Sequence, residues 1–186
     1  MHTTRFLTTG FVLAKILFLC CSPALADESF ITREQALAAL FPDAEIRAET
    51  VFLTQAQIEE ARILSGVEVN SALIARYEIL KEGIEIARGY VDTHIVRTKK
   101  ESLLIVLDPR GKVLRIEVTA SYEPPDYRAT EEFYRQYEGK ILNEDLNIDR
   151  AIRPMAGATL TGKAANQSVR RILAIDRVLK KDGDIP

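Results

Sequence analysis

Tryptophan is absent from this 186-residue chain, and histidine and cysteine are each present only twice. Cys20 and Cys21 are adjacent and close to the N-terminus, so they cannot staple a domain. By themselves they also form no zinc or iron–sulfur ligand set. Positive charge is in short supply: 25 Lys and Arg face 27 Asp and Glu, for a formal net charge of −2. Nothing in that balance gives an electrostatic footprint for nucleic acid. Glycine (9) and proline (7) are few, while 47% of residues are hydrophobic and 28% charged. Such a composition excludes a mostly disordered, collagen-like or multi-span membrane chain. The length suits one globular domain.

Residues 1–26 read as an export leader rather than as part of the fold. Arg5 precedes an apolar run, and Ala24-Leu25-Ala26 forms a signal-peptidase site with cleavage before Asp27. Lys15 interrupts the run, so an uncleaved N-terminal anchor and a lipoprotein are the competing readings; Leu19 before Cys20 does not suit lipidation. Cleavage removes two cations and no carboxylate, which takes the net charge from −2 to −4. Residues 27–186 then contain no cysteine, and an exported fold of this kind relies on its core.

Helices flank a run of strands. Thr32 with Gln35 is a capping box for a short helix ended by Phe41-Pro42-Asp43. Glu45 to Leu53 is strand-like, and Thr54 opens a helix over Gln55 to Leu64 that stops at Ser65-Gly66. Leu73 to Leu80, Ile84 to Ala87 and Gly89 to Arg97 predict an antiparallel meander. Ser102 to Leu107 has the apolar continuity of a strand buried on both faces. Asp108-Pro109-Arg110-Gly111 is a turn, and Lys112 to Ala120 returns as a strand. The paired prolines make Ser121 to Tyr127 irregular. Thr130 opens a helix through Tyr137, and a last helix spans about Gly162 to Lys181 with Val169, Ile172, Ile175 and Leu179 as its buried stripe. Strands in mid-chain with helices at both ends give an α+β fold: an antiparallel twisted sheet with N-terminal helices and a C-terminal helix packed on it.

The residues best suited to chemistry lie just before that last helix. Arg153-Pro154-Met155-Ala156-Gly157-Ala158-Thr159-Leu160-Thr161-Gly162-Lys163 is a small-residue loop feeding a helix N-terminus. Glycines admit a ligand close to the backbone, free amides and the helix dipole favour an anion, and Thr159, Thr161 and Lys163 add hydroxyls and charge. The plainer reading makes Thr161 a helix cap and Thr159 an ordinary loop residue. His94 is a packed or surface residue rather than a base. Arg170-Arg171 and Lys99-Lys100 are solvated faces.

Gly157-Ala158-Thr159-Leu160-Thr161 resembles the S/T-G-A-T-x-T/S signature of the FMN-binding domain family, which includes the FMN-carrying subunits of sodium-pumping NADH:quinone reductases and Rnf-type complexes. Other segments match in order. Leu107-Asp108-Pro109-Arg110-Gly111-Lys112-Val113 is similar to the family's V-D-P-D-G-K-I hairpin, and Glu123-Pro124-Pro125 falls where the family has E-T-P. Phe133, Gln136 and Gly139-Lys140 fit F-x-x-Q-x-x-G-K. Gly89 to Thr98 and Glu123 to Tyr127 look most like small exported stand-alone members. The resemblance covers about residues 70–180, leaving residues 27–70 as an N-terminal helical extension.

The resemblance implies FMN held at its phosphate by Gly157, Ala158, Thr159, Leu160 and Thr161, with Thr159 the residue that a flavin transferase esterifies. Two positions differ from the transferase signature: Arg153 stands where it has Asp, and Ala156 where it has Ser or Thr. Arg153 suits an ion pair with phosphate, the non-covalent alternative. Glu123 lies near the isoalloxazine by the same likeness, or is a loop carboxylate, and Tyr122 and Tyr127 either stack on the ring or pack. The expectation is an exported, periplasmic FMN protein in extracytoplasmic electron transfer, served by a membrane or periplasmic redox partner. The alternatives are a non-redox accessory domain that has lost flavin and a flavin-dependent reductase.

Overall fold

The computed structural model describes residues 30–183, in the order α1 (Arg33–Leu40), β1 (Glu45–Phe52), α2 (Gln55–Ser65), β2 (Leu73–Lys81), β3 (Ile84–Val96), β4 (Lys99–Leu107), β5 (Val113–Ser121), α3 (Glu131–Arg135) and α4 (Thr159–Gly183). The expected leader and its cleavage site lie outside the described residues. The strands form one antiparallel sheet in sequence order, β1-β2-β3-β4-β5, as the meander pattern predicts. The expected capping box at Thr32 is present, and the expected cap at Thr54 is a second one: the two threonines accept from the amides of Gln35 and Gln57, whose side chains accept in return from the threonine amides.

Three elements differ from the sequence reading. Ile84 to Val96 is one unbroken strand, because Arg88 and Gly89 pair through the ladder with Leu107 and Val106. The helix after Thr130 lasts only to Arg135 before turns carry the chain to Gly139. The last helix begins at Thr159 rather than Gly162, and Gly162 N–H already donates to Ala158 O at 3.0 Å.

The sheet has a lightly covered face and a heavily covered one. On the first, α1 presses Ala36 and Leu37 onto Tyr77, Ile79, Ala87, Leu104 and Val106. On the second, α4 brings Ala165, Val169, Ile172 and Ile175 against Tyr90, Leu103, Ile105 and Leu107, with α2 packed beside it through Ala61. Leu103 to Leu107 are fully buried, so β4 is covered on both faces, as its continuous apolar run requires.

Two ion pairs, one buried and one partly buried, tie α4 to β3. Asp176 accepts from Arg88 Nε at 2.6 Å and from the Tyr90 hydroxyl at 2.8 Å, and all three residues are at most 3% exposed. One turn and a half nearer the helix start, Arg171 grips Asp92 with two parallel bonds of 2.8 and 2.9 Å. Arg171 therefore does not sit on a solvated face. Nor does Arg170, which donates to Ser65 O at 2.8 Å and Leu146 O at 3.0 Å; both arginines hold the helix to its neighbours. The solvated-face reading does hold for Lys99 and Lys100, which are exposed.

Removing one member of a buried pair strands the other charge without its partner. Asp176→Ala is expected to cost about 3–5 kcal/mol of unfolding free energy in urea. The double replacement Arg88→Met with Asp176→Leu is expected to cost clearly less, since neither charge then stays buried alone.

Candidate functional site

The two ion pairs fix the direction of α4. Along the helix from Arg171 to Asp176 its partners on β3 run backwards, from Asp92 to Arg88, so the helix start lies towards the end of β3 that carries the β3–β4 hairpin. There the N-terminus of α4 meets the turn at Pro125–Tyr127. Thr161 is the third helical residue, and its hydroxyl donates to Tyr127 O at 2.6 Å while being 2% exposed. Thr161 is thus a tie between helix and loop, not the helix cap of the plainer sequence reading. Tyr127 in turn lies beneath the Arg97 guanidinium, 4.7 Å from its ring centroid.

The loop before α4 is held from below. Gln136 binds the backbone of Arg153 in both directions: its Oε1 accepts from Arg153 N–H at 2.8 Å and its Nε2 donates to Arg153 O at 3.4 Å. Phe133 supports the first turn, because a Cβ at Gly162 would lie 3.4 Å from its ring, so the helix rests directly on the aromatic face. The residues matched to F-x-x-Q therefore shape the loop that carries the G-A-T-like segment.

At the loop itself Gly157 is left-handed (φ 81°), and the space a Cβ would occupy is open. Thr159 and Leu160 are exposed, whereas Ala158 is 3% exposed and anchors the turn. The amides of Thr159, Leu160 and Thr161 precede the first intrahelical bond, where helix amides have no intrahelical acceptor. The Arg153 backbone is fixed by Gln136, and the residue is exposed. A hydroxyl and helix-start amides suit a phosphate group.

Glu123 is not an exposed loop carboxylate. It is 3% exposed, and its Oε1 has no hydrogen-bond partner. Its carbonyl accepts from Arg128 Nε at 2.8 Å. Tyr122 stands 70% exposed beside it. The sequence-predicted residues thus form two neighbouring groups, the Gly157–Thr161 loop and the Glu123–Tyr127 turn, joined by the Thr161–Tyr127 bond.

A cluster that sequence reasoning missed lies under the same helix. His94 Nδ1 is 3.2 Å from Asp92 Oδ2 and its Nε2 is 3.2 Å from Glu101 Oε2, with the imidazole 8% exposed. The Nε2 contact is an ion-pair distance without hydrogen-bond alignment, and among the described residues neither Nε2 nor Glu101 Oε1 has a hydrogen-bond partner. Tyr134 OH donates to Glu101 at 3.4 Å, and Arg171 holds Asp92. Burial pulls the His94 imidazole down, but contacts with Asp92 and Glu101 outweigh it and raise it above its ordinary range. Asp92 is pushed up by burial, yet bonds from His94 and Arg171 hold it well below the usual carboxylate range. The available signal was the register: Asp92 and His94 share a face of one strand, and Glu101 stands directly opposite His94 on the next.

A hollow of about 620 Å³ does not surround Thr159; it opens between β2, β3 and α4 and is lined by Ile74, His94, Ile95, Ala164, Gln167 and Arg171, among others. Among the described residues, no helix is long and apolar enough to cross a membrane. Compared with protein-family models, curated proteins and solved structures, the chain matches none.

The raised His94 value sets a sign for pH. A group that titrates higher in the folded state stabilises fully below its unfolded value, about 6.5 for histidine, and loses that contribution as pH rises through the folded value. Unfolding free energy measured from about pH 6 to 8.5 is therefore expected to fall in the native protein, with a flatter profile in His94→Gln.

Proposed function

We propose that this chain is an exported FMN-binding protein that passes electrons outside the cytoplasm, with the flavin held by its phosphate at Gly157–Thr161. One observation carries the reading. A helix start, an exposed Thr159 hydroxyl and an open left-handed glycine are set on a braced loop whose residues 157–161 resemble the family signature. Phosphate is the ligand chemistry that such donors suit, because its oxygens accept several hydrogen bonds and its charge gains from the helix dipole.

FMN, when bound, supplies one- and two-electron redox chemistry. The chain's own residues bind and orient it. Gly157 and Ala158 let the backbone approach, the amides of Thr159 and Leu160 donate, and the Thr159 hydroxyl either donates to the phosphate or is esterified to it by a flavin transferase. Arg153 adds a cation on the exposed side. Thr161 keeps the turn at Tyr127 against the helix, and Glu123 places a carboxylate in that turn. Electrons come from a membrane or periplasmic redox partner, and export runs through the cleaved leader at residues 1–26.

The test is intact-mass and absorbance measurement of protein produced with its export signal and a flavin transferase. Wild type is expected to be yellow, and Thr159→Ala to lose any covalent flavin while keeping its fold, since Thr159 is exposed and adds nothing to the core. Where attachment is non-covalent, the same change is expected to weaken FMN binding by about 1–3 kcal/mol. Protein that stays colourless with FMN and transferase supports the accessory-domain reading instead. Glu123→Gln provides a separate check. Removing a negative charge near the ring favours the electron-rich reduced flavin, so the midpoint potential is expected to move in the positive direction, and an unchanged potential would return Glu123 to a packing role.

A further inference from the structure

We propose that β1 is an association edge through which two copies of this chain pair antiparallel about Ala48, joining their sheets into one. β1 is the first strand of the sheet, and among the described residues no strand lies on its outer side. Arg47, Ala48, Glu49 and Thr50 are all exposed, so neither face of the strand is covered there. The opposite edge is occupied: Val113 of β5 donates its N–H to Lys140 O at 3.0 Å, and its carbonyl accepts from Gly139 at 2.7 Å. An unpaired edge is a template for another extended chain.

The backbone fixes which groups that edge offers. Leu53 N–H donates to Ala72 O, just before β2, at 2.7 Å, and the β1–β2 register runs on from there without a bulge. Successive residues of an antiparallel strand turn their N–H and C=O to opposite sides. Those of Val51, Glu49, Arg47 and Glu45 therefore face β2, and those of Phe52, Thr50, Ala48 and Ile46 face outwards. A second copy running antiparallel about Ala48 sets Ala48 opposite its own counterpart and Ile46 opposite Thr50. Each of these outward groups then finds a ladder partner.

The side chains select the occupant and the register. Charges on an edge strand ordinarily block pairing, but here their alternation is self-complementary. About Ala48, Arg47 stands opposite the second copy's Glu49, and Glu49 opposite its Arg47. Within each chain Glu49 already faces Arg76 on β2, and Arg47 faces Glu78. Across the joined strands the row therefore reads Arg76, Glu49, Arg47, Glu78, and every neighbour has the opposite sign. Arg76 contacts Glu49 through Oε1 and Arg47 bonds Glu45 through Nε, which leaves Glu49 Oε2 and the terminal nitrogens of Arg47 for the second copy. On the face that carries α1, Phe52, 71% exposed, comes opposite the half-buried Ala44 with Ile46 diagonal to it. Moving the centre by one residue in either direction sets Arg47 against Arg47 or Glu49 against Glu49. A uniformly acidic or basic strand would match one of the two charges and repel the other, so a second copy fits best. The edge is separate from the Gly157–Thr161 loop, and pairing there does not depend on flavin.

The test is sedimentation of the purified protein, without flavin, at concentrations from about 1 to about 500 μM. A monomer–dimer equilibrium is expected, and it weakens as salt rises. As dimer forms, the Ala48 and Thr50 amides are expected to gain protection from hydrogen exchange, with no comparable gain at Glu49, whose amide already faces β2. Arg47→Glu and Glu49→Arg each set like charges against each other across the joint, and each is expected to weaken dimerisation about tenfold. Mixed in equal amounts, the two variants are expected to pair with one another, because each charge then meets its opposite at both positions. That rescue separates lost complementarity from misfolding. Four results would overturn the proposal: a monomer over the whole range, a dimer insensitive to both substitutions, no association in the mixture, or dimerisation without protection at Ala48 and Thr50.

Discussion

The docking of α4 on β3 is the constraint from which the rest of the structure follows. A helix with an apolar stripe can slide or rotate on a sheet at modest cost, because apolar contacts are non-directional. Buried charges remove that freedom. Asp176 must meet Arg88 and Tyr90, and Asp92 must meet Arg171, or each carboxylate is left buried without its partner. The pairs therefore set the register of the helix more than they add net stability. With the register set, Val169, Ile172 and Ile175 fall onto Leu103, Ile105 and Leu107, and the core closes around them.

The same register decides where the helix begins. Its N-terminus arrives beside the Pro125–Tyr127 turn, where Thr161 reaches Tyr127 O and Gly162 rests on Phe133. Gln136 then fixes the chain just upstream through Arg153. A loop braced at both ends presents its free amides in one orientation, the preorganisation an anion site needs. The placement of the loop at Thr159 thus depends on ion pairs more than three turns further along the helix.

Much of the fold was legible because its signals are local. Capping threonines at 32 and 54, the Asp108–Gly111 turn and the unbroken apolar run before it each report short-range geometry, and the structure follows them. The misreadings came from residues whose environment is made by distant segments. Arg170 and Arg171 look like a solvated pair until α2 and β3 arrive beside them. Glu123 looks like a loop carboxylate until the turn folds over it. Thr161 looks like a cap because its partner, Tyr127 O, lies 34 residues away in sequence. His94 was set aside for want of a neighbour, yet strand register supplies two. The candidate phosphate loop was legible as a motif; what braces it was not, since no spacing rule links Gln136 to the Arg153 backbone.

The central claim is that the register of α4 creates an anion site at its first turn. The most direct test is a titration of FMN into isotope-labelled protein, following the backbone amides of the whole chain by NMR. Large downfield shifts concentrated on Gly157 to Thr161 are the result this account predicts. Shifts centred away from this segment, or no shifts at saturating FMN, would contradict it.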